Sequence, residues 1–187
     1  MAKKGFNYGY VHRGTKAYRN ALRSCKLNQK LYGVGFDYTE LWSLDISFYK
    51  FLLKNQIIKS DWLKYKVRSL DDIYIKKKYG FDEQAELKKA KTIEERRVIY
   101  EKYQEYVEEE QNQVLNYISV IFDEFPKDKE KIVNFLVPRL LALKDLTYSY
   151  PCNMTSEDWK NLILQCVYDL KMGNIQLFLT NIDSFWT

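Results

Sequence analysis

The sequence of 187 residues contains one histidine, three cysteines, three prolines and seven glycines, and each shortage excludes something. With His12 alone, no Ser-His-Asp triad, Cys-His pair or multi-histidine metal site can be built. Cys25, Cys152 and Cys166 are scattered and lack Cys-x-x-Cys spacing, which argues against a zinc site or a disulfide framework and fits a reducing compartment. The few glycines and prolines argue against a turn-rich β fold.

Phosphate-binding loops and long apolar runs are missing as well. There is no Gly-x-x-x-x-Gly-Lys or Gly-x-Gly-x-x-Gly motif, so we expect no nucleotide held by the usual loops. The longest apolar run, residues 134–143, is interrupted by Pro138 and Arg139 and falls short of the ~20 residues that a membrane span needs. The opening Met-Ala-Lys-Lys-Gly leads into no apolar stretch, so we expect no signal peptide and a cytoplasmic location.

Apolar residues make up 46% of the chain and aromatic residues 16%, which is enough for a sizeable core. The charge is divided unevenly. Residues 1–80 carry 17 Lys and Arg against 6 Asp and Glu, a net charge of +11. Residues 81–130 carry 8 against 14, a net charge of −6. This asymmetry indicates contacts with partners, and it does not bear on the fold.

Apolar residues recur at steps of three and four along most of the chain, which predicts an all-α protein. The expected architecture is an irregular helical domain with a long charged helical arm. Its segments are a basic and aromatic arm (1–14), N-terminal core helices (15–80), the charged helical arm (81–125) and C-terminal core helices (126–187).

Several helix boundaries can be predicted from capping patterns. The first helix is expected from Thr15 to Leu31, closed by Gly33, with Leu22, Cys25 and Leu27 leaning to its apolar side. Five further starts are marked by residues that can cap a helix: Asp37 with Glu40, Ser60, Ser69 with Asp72, Thr92 with Glu95, and Thr155 with Asp158. We also expect a kink or restart at Pro138 and one last helix over residues 175–186.

The charged arm carries a narrow apolar stripe near heptad spacing: Tyr103, Val107, Val114, Ile118, Ile121 and Phe125. Residues 108–110, all glutamate, are expected on the other side of that helix. A long helix with such a narrow stripe either projects from a core or pairs with another helix, and residues 100–125 are the candidate pairing segment.

Three fragments are familiar as a set: Trp42-Ser43-Leu44-Asp45, Val137-Pro138-Arg139-Leu140 and Met154-Thr155-Ser156-Glu157-Asp158-Trp159. Together they resemble a recurring group of uncharacterised bacteriophage proteins, in which a W-x-L-D helix runs directly into a P-R-L segment and a T-x-E-E-W helix follows. Here the P-R-L piece lies about ninety residues after W-x-L-D, with the charged helices between them. The resemblance implies a phage or mobile-element origin and a core assembled from the second helix and the C-terminal helices. It implies no activity.

Asp45 falls close to the apolar face of the second helix, where a carboxylate must be paired or hydrogen-bonded. Arg139, in the second resembling fragment, is the candidate partner for a structural ion pair. A catalytic acid is the alternative for Asp45, and the structural pair is the preferred interpretation.

The first 36 residues contain no acidic side chain. Cations there can neutralise phosphates, and tyrosine rings can stack on unpaired bases. The alternatives are a solvated basic flank, or docking on an acidic protein or on residues 81–130. The candidate residues for binding nucleic acid or a protein partner are Lys3, Lys4, Tyr8, Tyr10, Arg13, Lys16, Arg19 and Arg23.

These observations favour a phage-encoded accessory protein that binds a host or phage macromolecule in the host cytoplasm, either to counter a defence system or to redirect host machinery. A host or phage protein is the expected partner, and no membrane is expected. We expect no catalytic residues, no cofactor and no metal. The alternatives are a nucleic-acid-binding protein that uses the basic N-terminal region, and a virion or assembly component.

Overall fold

The computed structural model describes residues 16–41, 43–146, 150–151 and 154–185. These residues form helices and connecting turns, with no β-strand among them, so the all-α prediction is confirmed. No helix in this part of the chain combines the length and apolarity needed to cross a membrane. The helices are α1 (Lys16–Tyr32), α2 (Leu44–Lys54), α3 (Asp61–Lys66), α4 (Asp71–Tyr79), α5 (Glu83–Lys89), α6 (Ile93–Glu124), α7 (Pro126–Leu146), α8 (Ser156–Met172) and α9 (Gln176–Thr180), with 3₁₀ turns at Tyr38–Leu41 and Ile182–Ser184.

Three of the predicted caps are confirmed. The Ser60 hydroxyl accepts a hydrogen bond from the Leu63 N–H at 3.2 Å and begins α3. Thr92 with Glu95 and Thr155 with Asp158 form complete capping boxes at the starts of α6 and α8. In each box the hydroxyl and the carboxylate satisfy backbone N–H groups that the first helical turn leaves without partners.

The predicted cap at Ser69 is wrong. Ser69 has φ of +56°, and α4 begins at Asp71 after Leu70, which makes no side-chain cap. One half of the Asp37–Glu40 box is present: the Asp37 N–H donates to Glu40 Oε1 at 3.1 Å, whereas the Asp37 carboxylate accepts from the Thr39 N–H at 2.9 Å. It opens the short 3₁₀ turn at Tyr38–Leu41, and α2 begins only at Leu44.

Two prolines lie in α7. Pro126 is the first residue of α7, where its missing N–H costs no hydrogen bond. Pro138 lies inside α7, which continues to Leu146 without the predicted restart. The predicted last helix is also divided, into α9 and the 3₁₀ turn at Ile182–Ser184.

The chain clusters into two compact units, Met1–Phe48 with Lys129–Thr187 (unit 1) and Tyr49–Asp128 (unit 2). The division falls within α2, and unit 2 includes Tyr49–Asp128. The predicted grouping of residues 15–80 with the C-terminal helices stays a prediction.

Unit 1 has an aromatic core in which α2 meets the C-terminal helices. The Phe48 ring lies 6.1 Å from Phe135 and 5.5 Å from Phe178, centroid to centroid. Phe185 stacks on Phe178 at 5.3 Å, and its carbonyl accepts a hydrogen bond from the Leu44 N–H at 3.1 Å. The second helix and the C-terminal helices therefore share one core.

Unit 2 is organised around α6, against which α4 and α5 pack. Tyr106 of α6 stacks on Tyr79 with ring centroids 4.4 Å apart and meets Phe81 at 5.6 Å. The residues of the near-heptad stripe that are buried are Val107, Val114, Ile118 and Ile121, whereas Phe125 is exposed. These four residues are covered within the chain, and pairing of residues 100–125 with a further helix stays a prediction.

The Thr155 cap gives a stability prediction. We expect Thr155→Ala to lower the free energy of unfolding by about 1 kcal/mol, because the N–H of Asp158 loses its acceptor. Thr155→Ser retains the hydroxyl and serves as the matched control. Urea denaturation measures both variants, and an equal loss in the two would show that the hydroxyl is not what stabilises the start of α8.

Candidate macromolecule-binding surface

The first helix carries a continuous cationic face. With 3.6 residues per turn, successive residues advance by about 100°, and five cations fall within an arc of about 80°. Every position in that arc is Lys or Arg, and all five side chains are exposed; they are Lys16, Arg19, Arg23, Lys26 and Lys30. We call these five residues the cationic stripe.

The opposite side of α1 packs against the rest of unit 1. Ala21, Cys25 and Asn28 are buried, and the Asn28 Nδ2 group donates to the Phe36 carbonyl at 2.9 Å. At the end of the helix the Tyr32 hydroxyl donates to Asp145 Oδ2 at 3.0 Å. The direction in which the cationic stripe points is therefore set by packing and hydrogen bonds on the far side of the helix.

The charge of the stripe is not neutralised locally. Helix α1 contains no acidic residue, and none of the five cations has an ion pair with the described part of the chain. An exposed row of cations that are not engaged in ion pairs creates a local positive potential, which attracts polyanions.

The structure locates some of the predicted binding residues. Lys16, Arg19 and Arg23 lie on the stripe. Lys26 and Lys30, which the predicted set omitted, continue it, and steps of three and four residues from Arg19 are the signal that finds them. The other predicted binding residues, Lys3, Lys4, Tyr8, Tyr10 and Arg13, lie outside the described residues, as do His12, Thr15 and Trp42.

The predicted apolar side of α1 needs a correction. Leu22 and Leu27 are exposed, whereas Ala21 and Asn28 share the buried side with Cys25. Leu27 and Leu31 remain 54% and 57% exposed and border the stripe on one edge. Asn28 can be buried because its amide donates to the Phe36 carbonyl.

A buried arginine lies in the core of unit 1. The Arg139 Nη2 and Nε groups donate to Glu40 Oε2 at 2.7 and 3.1 Å, and Nη1 donates to the Phe135 carbonyl at 3.0 Å. Its guanidinium carbon lies 3.8 Å from the centroid of the Phe135 ring and 4.8 Å from that of Phe36. Burial lowers the pKa of Arg139, and the charge and hydrogen bonds of Glu40 oppose that shift.

The sequence predicted Asp45 as the partner of Arg139, and Glu40 was noticed only as part of a capping box. Glu40 caps the turn and also pairs with Arg139, because its Oε1 accepts from the Asp37 N–H while its Oε2 accepts from the guanidinium. Asp45 is half-buried in the first turn of α2, and its own pairing with Arg139 stays a prediction.

A buried carboxylate joins two helices of unit 2. Glu110 of α6 accepts hydrogen bonds from the Tyr79 hydroxyl at 2.6 Å, the Tyr74 hydroxyl at 3.0 Å and the Lys78 ammonium, all on α4. Burial alone would raise the pKa of Glu110, but these three donors hold it below the ordinary value. Partial burial, together with the hydrogen bond to the Glu110 carboxylate and its charge, raises the pKa of Tyr79 to about 12.

Glu110 was expected on the side of α6 away from the apolar stripe, and that expectation is wrong. It lies three residues after Val107 and four before Val114, which is the spacing of the stripe itself. The three donors on α4 make its burial tolerable, so the group stabilises the packing of α4 on α6.

The described residues hold no group of three or more His, Cys, Asp or Glu side chains that could bind a metal ion. Burial raises the pKa of the Cys166 thiol to about 12, so at neutral pH it is protonated and a poor nucleophile.

Comparison with known proteins adds no relative: no family model, no curated protein and no solved structure matches this chain. The function of the chain must therefore be inferred from its own surfaces, among which the cationic stripe of α1 is a well-defined one.

Proposed function

We propose that this protein is a phage-encoded accessory protein that acts by binding a host or phage macromolecule, without catalysis of its own, to counter a defence system or redirect host machinery. The phage origin is supported by the resemblance of its W-S-L-D, P-R-L and T-S-E-D-W fragments to a group of bacteriophage proteins. The binding function is supported by the cationic stripe.

One observation carries the proposal. The five cations of the stripe lie on the exposed side of α1, and the other side of this helix is buried and hydrogen-bonded within unit 1. Exposed basic residues alone are common on solvated helix faces. A stripe with a cation at every position and no acidic residue in the helix is more than solubility requires, since soluble surfaces usually mix charges of both signs.

Cross-linking in cells tests this proposal. We expect tagged wild-type protein, expressed in a bacterial host, to capture a defined macromolecule, and we expect Arg19→Glu with Arg23→Glu to lose it. In this variant two glutamates would face the negative groups of the partner, and this repulsion lowers both the association rate and the affinity. Mass spectrometry and sequencing of the cross-linked material identify what is captured.

Lys160→Glu with Lys171→Glu is the matched control, because both lysines are exposed in unit 1 but lie on α8. The control should capture the same macromolecule as wild type. If the α1 variant captures it equally well, α1 is not the binding surface and the proposal loses its support.

A nucleic-acid-binding protein is the second candidate function, and the composition of the stripe favours it. Interfaces between proteins have cores rich in aromatic and apolar residues and are depleted in lysine. The arc of the stripe contains three lysines, two arginines and no apolar residue.

A further inference from the structure

We infer that the cationic stripe of α1 binds the phosphate backbone of double-stranded nucleic acid without reading its base sequence. This inference rests on the proposed function, because it takes α1 as the binding surface and names the partner. Four features of the stripe support it: its length, its composition, the absence of ion pairs to it within the described residues, and its fixed orientation.

The length of the stripe suits a row of phosphates. Lys16 and Lys30 are fourteen residues apart, which at 1.5 Å per residue spans about 21 Å. Over the same distance a duplex carries about twelve phosphates, since one recurs every 1.7 Å of axis when both strands are counted, and about half of them face any one side. Five cations at steps of three and four residues are therefore comparable in number to the phosphates they would face.

The composition of the stripe suits contacts to phosphate. Lysine and arginine are the side chains that neutralise phosphates and release their condensed counterions. Contacts to phosphate position a protein on a duplex but carry no sequence information. Glutamine is a side chain that can read base edges, but the Gln29 amide of α1 already donates a hydrogen bond to the Gly33 carbonyl at 2.6 Å.

The same composition favours duplex over single strands. Proteins that bind unpaired strands without sequence preference combine cations with aromatic rings on which bases stack. No position within the arc of the stripe is aromatic. Single strands therefore gain no stacking on this face, and their lower charge density releases fewer counterions per contact.

The stripe is also organised before binding. Because α1 is a formed helix held by Asn28 and Tyr32, the spacing of the cations does not have to be created when the partner arrives. The charges keep their full attraction for the partner, since no ion pair within the described residues must first be broken.

Fluorescence anisotropy with a labelled 24-base-pair duplex tests the inference across 50 to 200 mM NaCl. Each phosphate contact makes the slope of log K against log salt concentration steeper by about 0.9, so five contacts contribute a slope of about −4.5. The binding constant should then fall roughly 500-fold over this range of salt. Neutralising all five cations to glutamine should make the wild-type slope shallower by about 4.5, whatever other residues contribute. Arg19→Gln with Arg23→Gln should make it shallower by about 1.8.

Two matched controls accompany these variants. Lys160→Gln with Lys171→Gln removes the same charge from α8 and should leave the slope unchanged. Leu27→Ser with Leu31→Ser removes the exposed apolar edge beside the stripe and should leave duplex binding unchanged, whereas a protein partner would need such apolar contact. Circular dichroism checks that each variant retains its helices; if the fivefold variant unfolds, the double variants decide.

Three results would overturn the inference: no duplex binding below about 100 µM at 50 mM salt, a slope that the α1 variants do not change, or a preference of more than tenfold between two unrelated duplexes. Tighter binding of a single strand of equal length would contradict the duplex assignment. If duplex binding is absent but the charge-reversed α1 variant still loses a cross-linked protein, this inference fails while the proposed function holds. If neither is observed, both fail.

Discussion

Replacing Glu40 with glutamine is expected to lower the free energy of unfolding by about 3 kcal/mol, which is a large effect for a side chain on a short 3₁₀ turn. Arg139 is only 7% exposed, so losing the Glu40 charge leaves its guanidinium buried without a counter-charge. The expected loss is at the lower end of the range for broken buried pairs, because Glu40 is 27% exposed and water can partly replace it. Glutamine can still accept from the Asp37 N–H, so the variant isolates the charge from the cap.

A double-mutant cycle with Arg139→Met separates the pair from its surroundings. Without the cation, the Glu40 carboxylate no longer neutralises a buried charge. Glu40→Gln should therefore lower the free energy of unfolding much less in the Arg139→Met background, and the double variant should lose less than the sum of the two single losses. The exposed pair Arg97–Glu101 on α6 is the control, and Glu101→Gln should cost under about 0.5 kcal/mol. Urea denaturation measures each variant. Additive losses would show that Glu40 and Arg139 do not interact.

The second large effect is expected at Glu110. Glu110→Ala should lower the free energy of unfolding by about 2–3 kcal/mol, because Tyr74, Tyr79 and Lys78 lose a charged acceptor and two helices lose a shared contact. Lys78 is partly exposed and can turn to water, which limits the cost. Glu108, two residues earlier and exposed, is the control, and Glu108→Ala should change little.

The pH dependence of stability gives a second measure of the same group. The pKa of Glu110 in the folded protein lies below its unfolded value, so its stabilising contribution is complete above the unfolded pKa. That contribution disappears as the pH falls through the folded pKa. Between pH 6 and pH 3, wild type should therefore lose more stability than Glu110→Gln, which has no proton to take up. Parallel pH profiles for the two proteins would contradict the lowered pKa.

The opposite end of the pH scale should also affect this group. The pKa of Tyr79 is raised to about 12 in the folded protein, so the folded state prefers the protonated phenol. Its contribution is present below the unfolded pKa of about 10 and is lost as the pH rises towards 12. The stabilising contribution of Lys78 is also lost as the pH rises, because the hydrogen bond to Glu110 raises the pKa of the Lys78 ammonium.

Local patterns in the sequence predicted the features that depend on a few neighbouring residues. The boxes at Thr92 and Thr155 form as predicted, since a hydroxyl and a carboxylate three residues apart can reach each other's backbone in any helix start. The Ser69 box failed although its spacing is correct. The left-handed backbone of Ser69 and the late start of α4 at Asp71 leave its hydroxyl without the N–H it was expected to cap.

Partners that are distant in the chain could not be predicted in the same way. Glu40 and Arg139 are separated by 99 residues, and Glu110 lies 36 residues from Tyr74. Periodicity reports which side of a helix tends to be apolar, but it cannot report that a polar residue on that side has a partner elsewhere. Asn28 and Glu110 were missed for this reason, and Leu22 and Leu27 were assigned to the buried side of α1 because only hydrophobicity was considered.

By itself, the sequence determined the all-α class, three helix caps, the long charged helix and the concentration of cations near Arg19, because each depends on residue type and spacing within a few turns. Only the tertiary structure decided which side of α1 is buried, that the row of cations is exposed, that Glu40 pairs with the buried Arg139, and that the buried Glu110 has three donors on α4. These features depend on which segments meet in the fold. The cost of burying a charge or a polar group is recovered only where such a meeting supplies a partner.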